Sequence, residues 1–218
     1  MTRRPATHRE PVTPEIPHNP PPGYPAELTE QAYLDDATPV VFRAIAPADA
    51  PALERLFYRL SPTSVYLRFF APLARPTQAM LMRLSNVDYT DRLALVAVID
   101  GEIVGVARYD RLAAIAPAGL NVDPAEAEAA VLVEDRWQGK GIATRLLWRL
   151  SAAAAARGVT TFTGSILAEN RAMVGLLHVM GEAVEMRLAG TEYEVRLRLA
   201  RLTEPHEPPA PPTGDERR

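Results

Sequence analysis

"EDRWQGKGIATRLL", Glu134 to Leu147, sets two glycines and a lysine between an apolar run and a leucine-bearing amphipathic run. A backbone that wraps an anion needs amides pointing inward and no side chain in the way, which suits Gly139 and Gly141. The helix expected just after them adds unpaired N–H groups and a partial positive charge at the same point. A diphosphate is the natural occupant. Other phosphate loops fit poorly. A Walker loop places a glycine six residues before its lysine, where this chain has Glu134, and Ser or Thr after it, where Gly141 stands. A dinucleotide fingerprint requires Gly or Ala three residues beyond its second glycine, and that residue is Thr144. Taken alone, the turn reads equally well as a structural connection.

Working outward, the chain alternates between strand and helix patterns. "PVVFRAI" (39–45) reads as a strand, and the following helix places Leu53, Leu56, Phe57 and Leu60 on one face. Short helices are expected in "SPTSVYLRFF" and "TQAMLMRLSN". Two strands, "RLALVAVID" and "EIVGVARYD", flank Asp100-Gly101, a dipeptide suited to a tight hairpin because both positions tolerate positive φ. The run 93–99 lacks polar alternation, so its strand is expected to be covered on both faces. After a loop at 112–124, "AEAAVLVED" reads as a strand leading into the glycine turn. A helix over about 140–157, a strand in "VTTFTGSIL", a helix in "AENRAMVGLLHVMG" and a closing strand in "TEYEVRLRLA" complete the order. These elements predict an α/β (α+β) fold, a mixed sheet flanked by helices.

The chain has 218 residues, of which 47% are hydrophobic and 23% charged, an ordinary globular composition. A net charge of −3 gives no footprint for nucleic acid. Without cysteine there is no disulfide, thiolate nucleophile or cysteine-bound metal, and the histidines show no metal-ligand spacing. The N-terminus lacks the apolar core of a signal peptide and no run is long enough to span a bilayer, so a cytoplasmic protein without membrane contact is expected. Prolines crowd both ends. Residues 1–37 and 203–218 are therefore expected to be disordered tails around a folded domain at 38–202.

Gln138-Gly139-Lys140-Gly141-Ile142-Ala143 fits Q/R-x-x-G-x-G/A, the acyl-CoA pyrophosphate signature of the GNAT superfamily of N-acetyltransferases. The stretch from about Val40 to Ala200 resembles that fold in order, including the helix that opens at the signature. It implies a mostly antiparallel mixed sheet with helices on both faces. "YTDRLALVAVIDGEIVGVARY" and "AEAAVLVEDRWQGKGIATRLL" are similar, more narrowly, to the catalytic domain of bacterial Pat-type protein lysine acetyltransferases. The resemblance implies acetyl-CoA as co-substrate, no metal, and an amine acceptor. The first expectation is a protein lysine, such as those of acyl-CoA synthetases, and the second a small-molecule amine. No cyclic-nucleotide-binding or synthetase-like module is visible in the chain.

A lysine amine has a reference pKa near ~10.4, so about one in a thousand is neutral at pH 7.4 and direct attack on a thioester needs a base. Glu128, ten residues before Gln138, matches the family's general base; the plainer reading is a solvated residue at a strand's start. By the same resemblance, backbone groups of Val131, Leu132 and Val133 face the cofactor arm, and the Val133 N–H stabilises the oxyanion. Amides of Gln138, Gly139, Lys140, Gly141, Ile142 and Ala143 hold the diphosphate, while the Lys140 and Arg145 side chains lie near phosphates or in solvent. Asn170 binds the cofactor arm or caps its helix. Many relatives carry a tyrosine, as general acid, where this chain has Leu177. That departure leaves open a non-catalytic acyl-CoA sensor. Tyr66 and "LRFF" read as buried aromatics or as a wall of the acceptor cleft.

Overall fold

The computed structural model describes residues 17, 19–117 and 119–201. Residues 1–16 of the expected N-terminal tail and all of the expected C-terminal tail fall outside that range, with His8, His18 and His206. The expected boundary at residue 38 is displaced. Ala26–Leu28 forms a 3-10 turn and Glu30–Tyr33 a first strand (β1), antiparallel to Pro39–Ala44 (β2). A few anchors outweigh the proline content. The Tyr24 hydroxyl donates to the Ala44 carbonyl at 2.9 Å, its ring meets Tyr89 edge-on, and Leu34 is buried.

Three short helices follow: Ala50–Arg59 (α1), Pro62–Phe69 (α2) and Gln78–Ser85 (α3). Each local choice agrees with its sequence. Leu53, Leu56 and Phe57 are buried on α1, and Ser61 and Thr77 cap α2 and α3 by accepting from the N–H groups of Ser64 and Met80 at 3.1 Å. The hairpin of Arg92–Ile99 (β3) and Glu102–Arg111 (β4) turns at Asp100 (φ 51°) and Gly101 (φ 76°), as the dipeptide predicts. Residues 93–97 are all buried, so β3 is indeed covered on both faces.

Leu112–Ile115 (α4) opens the stretch expected as a loop, and Glu126–Val133 (β5) leads to the glycine turn. Ile142–Ala155 (α5), Thr161–Leu167 (β6), Arg171–Val179 (α6), Val184–Ala189 (β7) and Glu192–Arg198 (β8) complete the chain. β7 was not among the expected strands. Its side chains are mostly exposed, so no apolar alternation marks it; its pairing with β8 around Gly190 (φ 65°) creates it.

The eight strands lie in the order β1-β2-β3-β4-β5-β6-β8-β7, antiparallel except for β5 beside β6. Alternate residues of β4 and β5 face two helical layers. Val106, Arg108, Ala130 and Leu132 meet α1, α2 and α3 around a small, mainly apolar cavity of about 60 Å³. Gly105 faces α5. A Cβ there would stand 3.1 Å from Leu146 Cδ1 and 3.2 Å from Ile142 Cγ2, so the missing side chain is what seats α5 on the sheet. Ile142, Leu146 and Leu150 of α5 are fully buried.

Candidate functional site

β5 and β6 pair only through Glu126↔Thr161, Ala127↔Phe162 and Glu128↔Thr163. Beyond Glu128 the two strands part. β5 stays with β4 as far as Gly105↔Val133, and β6 stays with β8 as far as Leu167↔Glu192. The sheet thus opens in its middle, and Glu128 stands on β5 at the last pair before the gap. Gly164 lies just past it; a Cβ there would meet the Ala129 carbonyl oxygen at 3.2 Å.

Opening a sheet leaves backbone groups without strand partners. The Glu134 N–H donates to the Val104 carbonyl on β4 at 2.8 Å. By strand alternation, Val133 and Val131 therefore turn their amides the other way, into the gap. The Val133 carbonyl accepts from Gln138 Nε2 at 3.0 Å, which pins the turn onto the end of β5.

At the turn, Gly139 (φ 72°) and Gly141 (φ 78°) are left-handed, and Gly141 is the N-cap of α5 without any side-chain cap. Arg145 N–H returns to the Gly141 carbonyl at 3.0 Å; among the described residues, the amides of Ile142, Ala143 and Thr144 have no acceptor. A fourteen-residue helix thus presents its positive end, uncovered, to one wall of the gap.

A cleft of about 1160 Å³ joins these features. Glu128, Val131, Leu132, Val133, Gln138, Gly139, Gly141, Ile142, Ala143 and Asn170 all line it. Lys140 does not. Its Nζ pairs with Asp36 at 2.7 Å and lies 5.5 Å from the Trp137 ring centroid, while Arg145 donates to the Tyr33 carbonyl at 2.6 Å. The hydrogen bond from Lys140 holds the Asp36 carboxyl well below the usual carboxylate range. Asn170 Oδ1 caps α6 by accepting from Met173 N–H at 3.1 Å, and the residue still lines the cleft. Leu177 is 2% exposed and lies outside the cleft lining.

Several contributors lacked a sequence signal strong enough to single them out. Asp135, on the turn, accepts from Ser61 N–H at 2.9 Å, Ser61 Oγ at 2.6 Å and Ser64 Oγ at 2.8 Å, which docks the start of α2 onto the glycine turn. Although burial opposes it, hydrogen bonds from Ser61 and Ser64 hold the Asp135 carboxyl below its ordinary value. Arg68 and Phe70 reach the cleft from α2, whereas Tyr66 is exposed outside it and Phe69 lines the smaller cavity. Phe70 is a left-handed non-glycine residue (φ 58°) and is exposed rather than buried. Gly164 carried a signal that was available, since a glycine inside a strand marks a close backbone approach.

Residues 61–181, over half of the chain, match the model of the Acetyltransferase (GNAT) family. The chain belongs to the GNAT family. An acetyltransferase of Pseudomonas aeruginosa is 32% identical over 152 residues, which cover 68% of this chain and 77% of that protein. Acetyltransferase Pat of Mycolicibacterium smegmatis is 30% identical over 141 residues, 64% of this chain but 40% of that protein, so this GNAT chain spans under half the length of that relative. Among solved structures, the GNAT domain of S. lividans PAT superposes with a TM-score of 0.72 at 31% identity, covering 80% of this chain and 99% of that domain. The yncA protein of Salmonella typhimurium, solved with acetyl-CoA, shares the GNAT fold at a TM-score of 0.58 and 19% identity, covering 78% of this chain and 98% of that one. The expected sheet, with helices on both faces and in the GNAT order, is the one observed. Among the described residues, no helix is long and apolar enough to cross a membrane, and no group of three acidic, histidine or cysteine side chains could hold a metal ion.

Proposed function

We propose that this GNAT acetyltransferase moves an acetyl group from acetyl-CoA directly to a primary amine, with Glu128 as the general base and a protein lysine as the first choice of acceptor. One observation carries the reading: a carboxylate stands at the head of a gap whose far wall is an uncapped helix N-terminus. The residues fit the coenzyme. Amides from Gly139 to Ala143 suit the diphosphate, and the Val131 and Val133 backbone suits the amide-rich arm as a strand would. Asn170, whose Oδ1 is spent on capping α6, keeps its amide nitrogen for the same arm. Acetyl-CoA supplies an activated thioester.

Glu128 takes a proton from the acceptor ammonium, directly or through water, and frees the lone pair that attacks the carbonyl carbon. The Val133 N–H donates to the oxygen on which charge develops. The attacking nitrogen gives up its second proton to solvent and the carbon–sulfur bond breaks, leaving a neutral amide. No side chain at position 177 is available to protonate sulfur, and none is required, because a thiol of pKa near ~8.5 leaves as thiolate and takes its proton from solvent. The lysine preference draws on the Pat relatives, whose similarity covers 64% of this chain in sequence and 80% in structure. The near-complete burial of Leu177, 2% exposed, favours a second reading, a sensor that binds acyl-CoA without turnover.

Thiol release separates the two. Glu128→Gln is expected to lower acetyl transfer on the order of 10²- to 10⁴-fold while coenzyme binding by calorimetry is kept. Equal rates for parent and variant would remove Glu128 from the mechanism. Binding without turnover across a wide amine panel would favour the sensor.

A further inference from the structure

Six charged side chains line the cleft: Arg68, Glu128, Glu185, Arg187, Glu194 and Arg196. Four are neutralised within the protein. Glu185 pairs with Arg198 at 2.6 Å, Arg187 with Glu194 at 2.9 Å, and Arg196 with Glu126. Among the described residues, Arg68 and Glu128 have no hydrogen-bonding or ion-pair partner at all, and their oxygens and nitrogens stay more than 4.0 Å apart. They are opposite charges left open in one cavity.

The local packing keeps them so. Asp110, directly across from Glu128 in the β4–β5 register, pairs with Arg92 at 2.6 Å and Arg108 at 3.1 Å, so its charge is already matched by two other guanidinium groups. The Arg68 guanidinium lies over the Phe69 ring, 5.2 Å from its centroid, on a helix that Asp135 holds at its N-terminal end. Burial lowers the Arg68 pKa, the nearby charge of Arg108 adds to this, and Glu128 and Asp110 act against both. Arginine stays protonated even so. A half-buried cation without a counter-ion is costly, and its natural partner is an anion brought by a ligand.

We propose that the acceptor carries a carboxylate beside its amine: Arg68 binds the carboxylate by a bidentate pair while Glu128 receives the amine proton. This rests on the acyl-transfer reading above and names its substrate class. The carboxylate is that of a free amino acid or of an acidic residue flanking a lysine. No bond is made or broken at Arg68, which acts on specificity alone.

The test uses two matched pairs of acceptors. One is a lysine peptide with flanking Asp against the same peptide with Asn; the other is a free amino acid against its primary amide. The parent is expected to prefer the acid of at least one pair on the order of 10- to 100-fold in kcat/KM, as a charged hydrogen bond would give. The pair that shows the preference identifies the source. Arg68→Met is expected to slow transfer to the acid alone, and Arg68→Lys to keep part of the preference, since a point charge replaces a planar fork. A parent indifferent to the acid in both pairs, or an Arg68→Met that slows acid and amide equally, overturns the proposal. Should Arg68→Met not fold, Arg68→Lys decides: a reduced preference supports the proposal and an unchanged one overturns it. Loss of acetyl-CoA binding in the parent would instead sink the acyl-transfer reading, so the two failures look different.

Discussion

Leu177 occupies the position for which the family resemblance implies a tyrosine acid, and here it is a buried apolar side chain instead. Restoring the phenol is therefore no repair. Leu177→Tyr places a larger ring and an unpartnered hydroxyl in a filled site, and is expected to cost about 1–3 kcal/mol in urea unfolding. It is not expected to speed thiol release. A faster variant would mean that sulfur protonation limits the reaction and that the side chain reaches the cleft. Glu128 is the opposite case: its side chain is exposed and, among the described residues, unpaired. Arg68 could not be picked from the sequence, because nothing in "YLRFF" tells an arginine that will find a carboxylate from one that will not. Its meaning comes from Asp110 already being bonded elsewhere.

The α5 helix carries its site through its seat on β4. Gly105→Ala would press a methyl against Leu146, Ile142 and Val133 at 3.1–3.3 Å, moving the helix or straining its contacts at about 1–3 kcal/mol. Calorimetry is expected to show weaker coenzyme binding even though residue 105 lies outside the cleft lining; unchanged affinity would uncouple the seat from the turn. The α2 helix is held differently, by one carboxylate at its start. The Asp135 pKa is depressed in the folded protein, so its contribution is present above the unfolded value near ~4 and is lost as pH falls through the folded value. Between about pH 5 and pH 2 the parent should lose more thermal stability than Asp135→Asn, which has no such contribution to lose. Parallel melting curves would show that this carboxylate does not tie α2 down. Strand and helix patterns with strong local chemistry were readable in advance: Asp100-Gly101, the apolar run of β3, and the glycines around α5. β1 and β7 were not, because β1 follows a proline-rich segment and β7 is mostly exposed, and in each case a neighbour's hydrogen bonds supply what the side chains do not signal.

Across the molecule, the divided sheet is the feature that no local pattern announced. Its two parts, β1 to β5 and β6 to β8, share a strand boundary of three residue pairs. Amides of Val131 and Val133 have no strand partner there, so hydrogen exchange is expected to be fast at both and to slow when acetyl-CoA is added. Protection that is already complete without coenzyme would show the gap to be closed in solution. The family's signature implies a place for an anion, yet the open seam beside it is a property of pairing and exists only once β4 and β8 have drawn their neighbours apart. That seam has an outcome for the chain's endurance. A molecule threaded through it would act as a stitch between the N-terminal and C-terminal portions, so unzipping and proteolytic nicking should both slow as the coenzyme pool rises, making the longevity of the protein a gauge of the metabolic supply it draws upon.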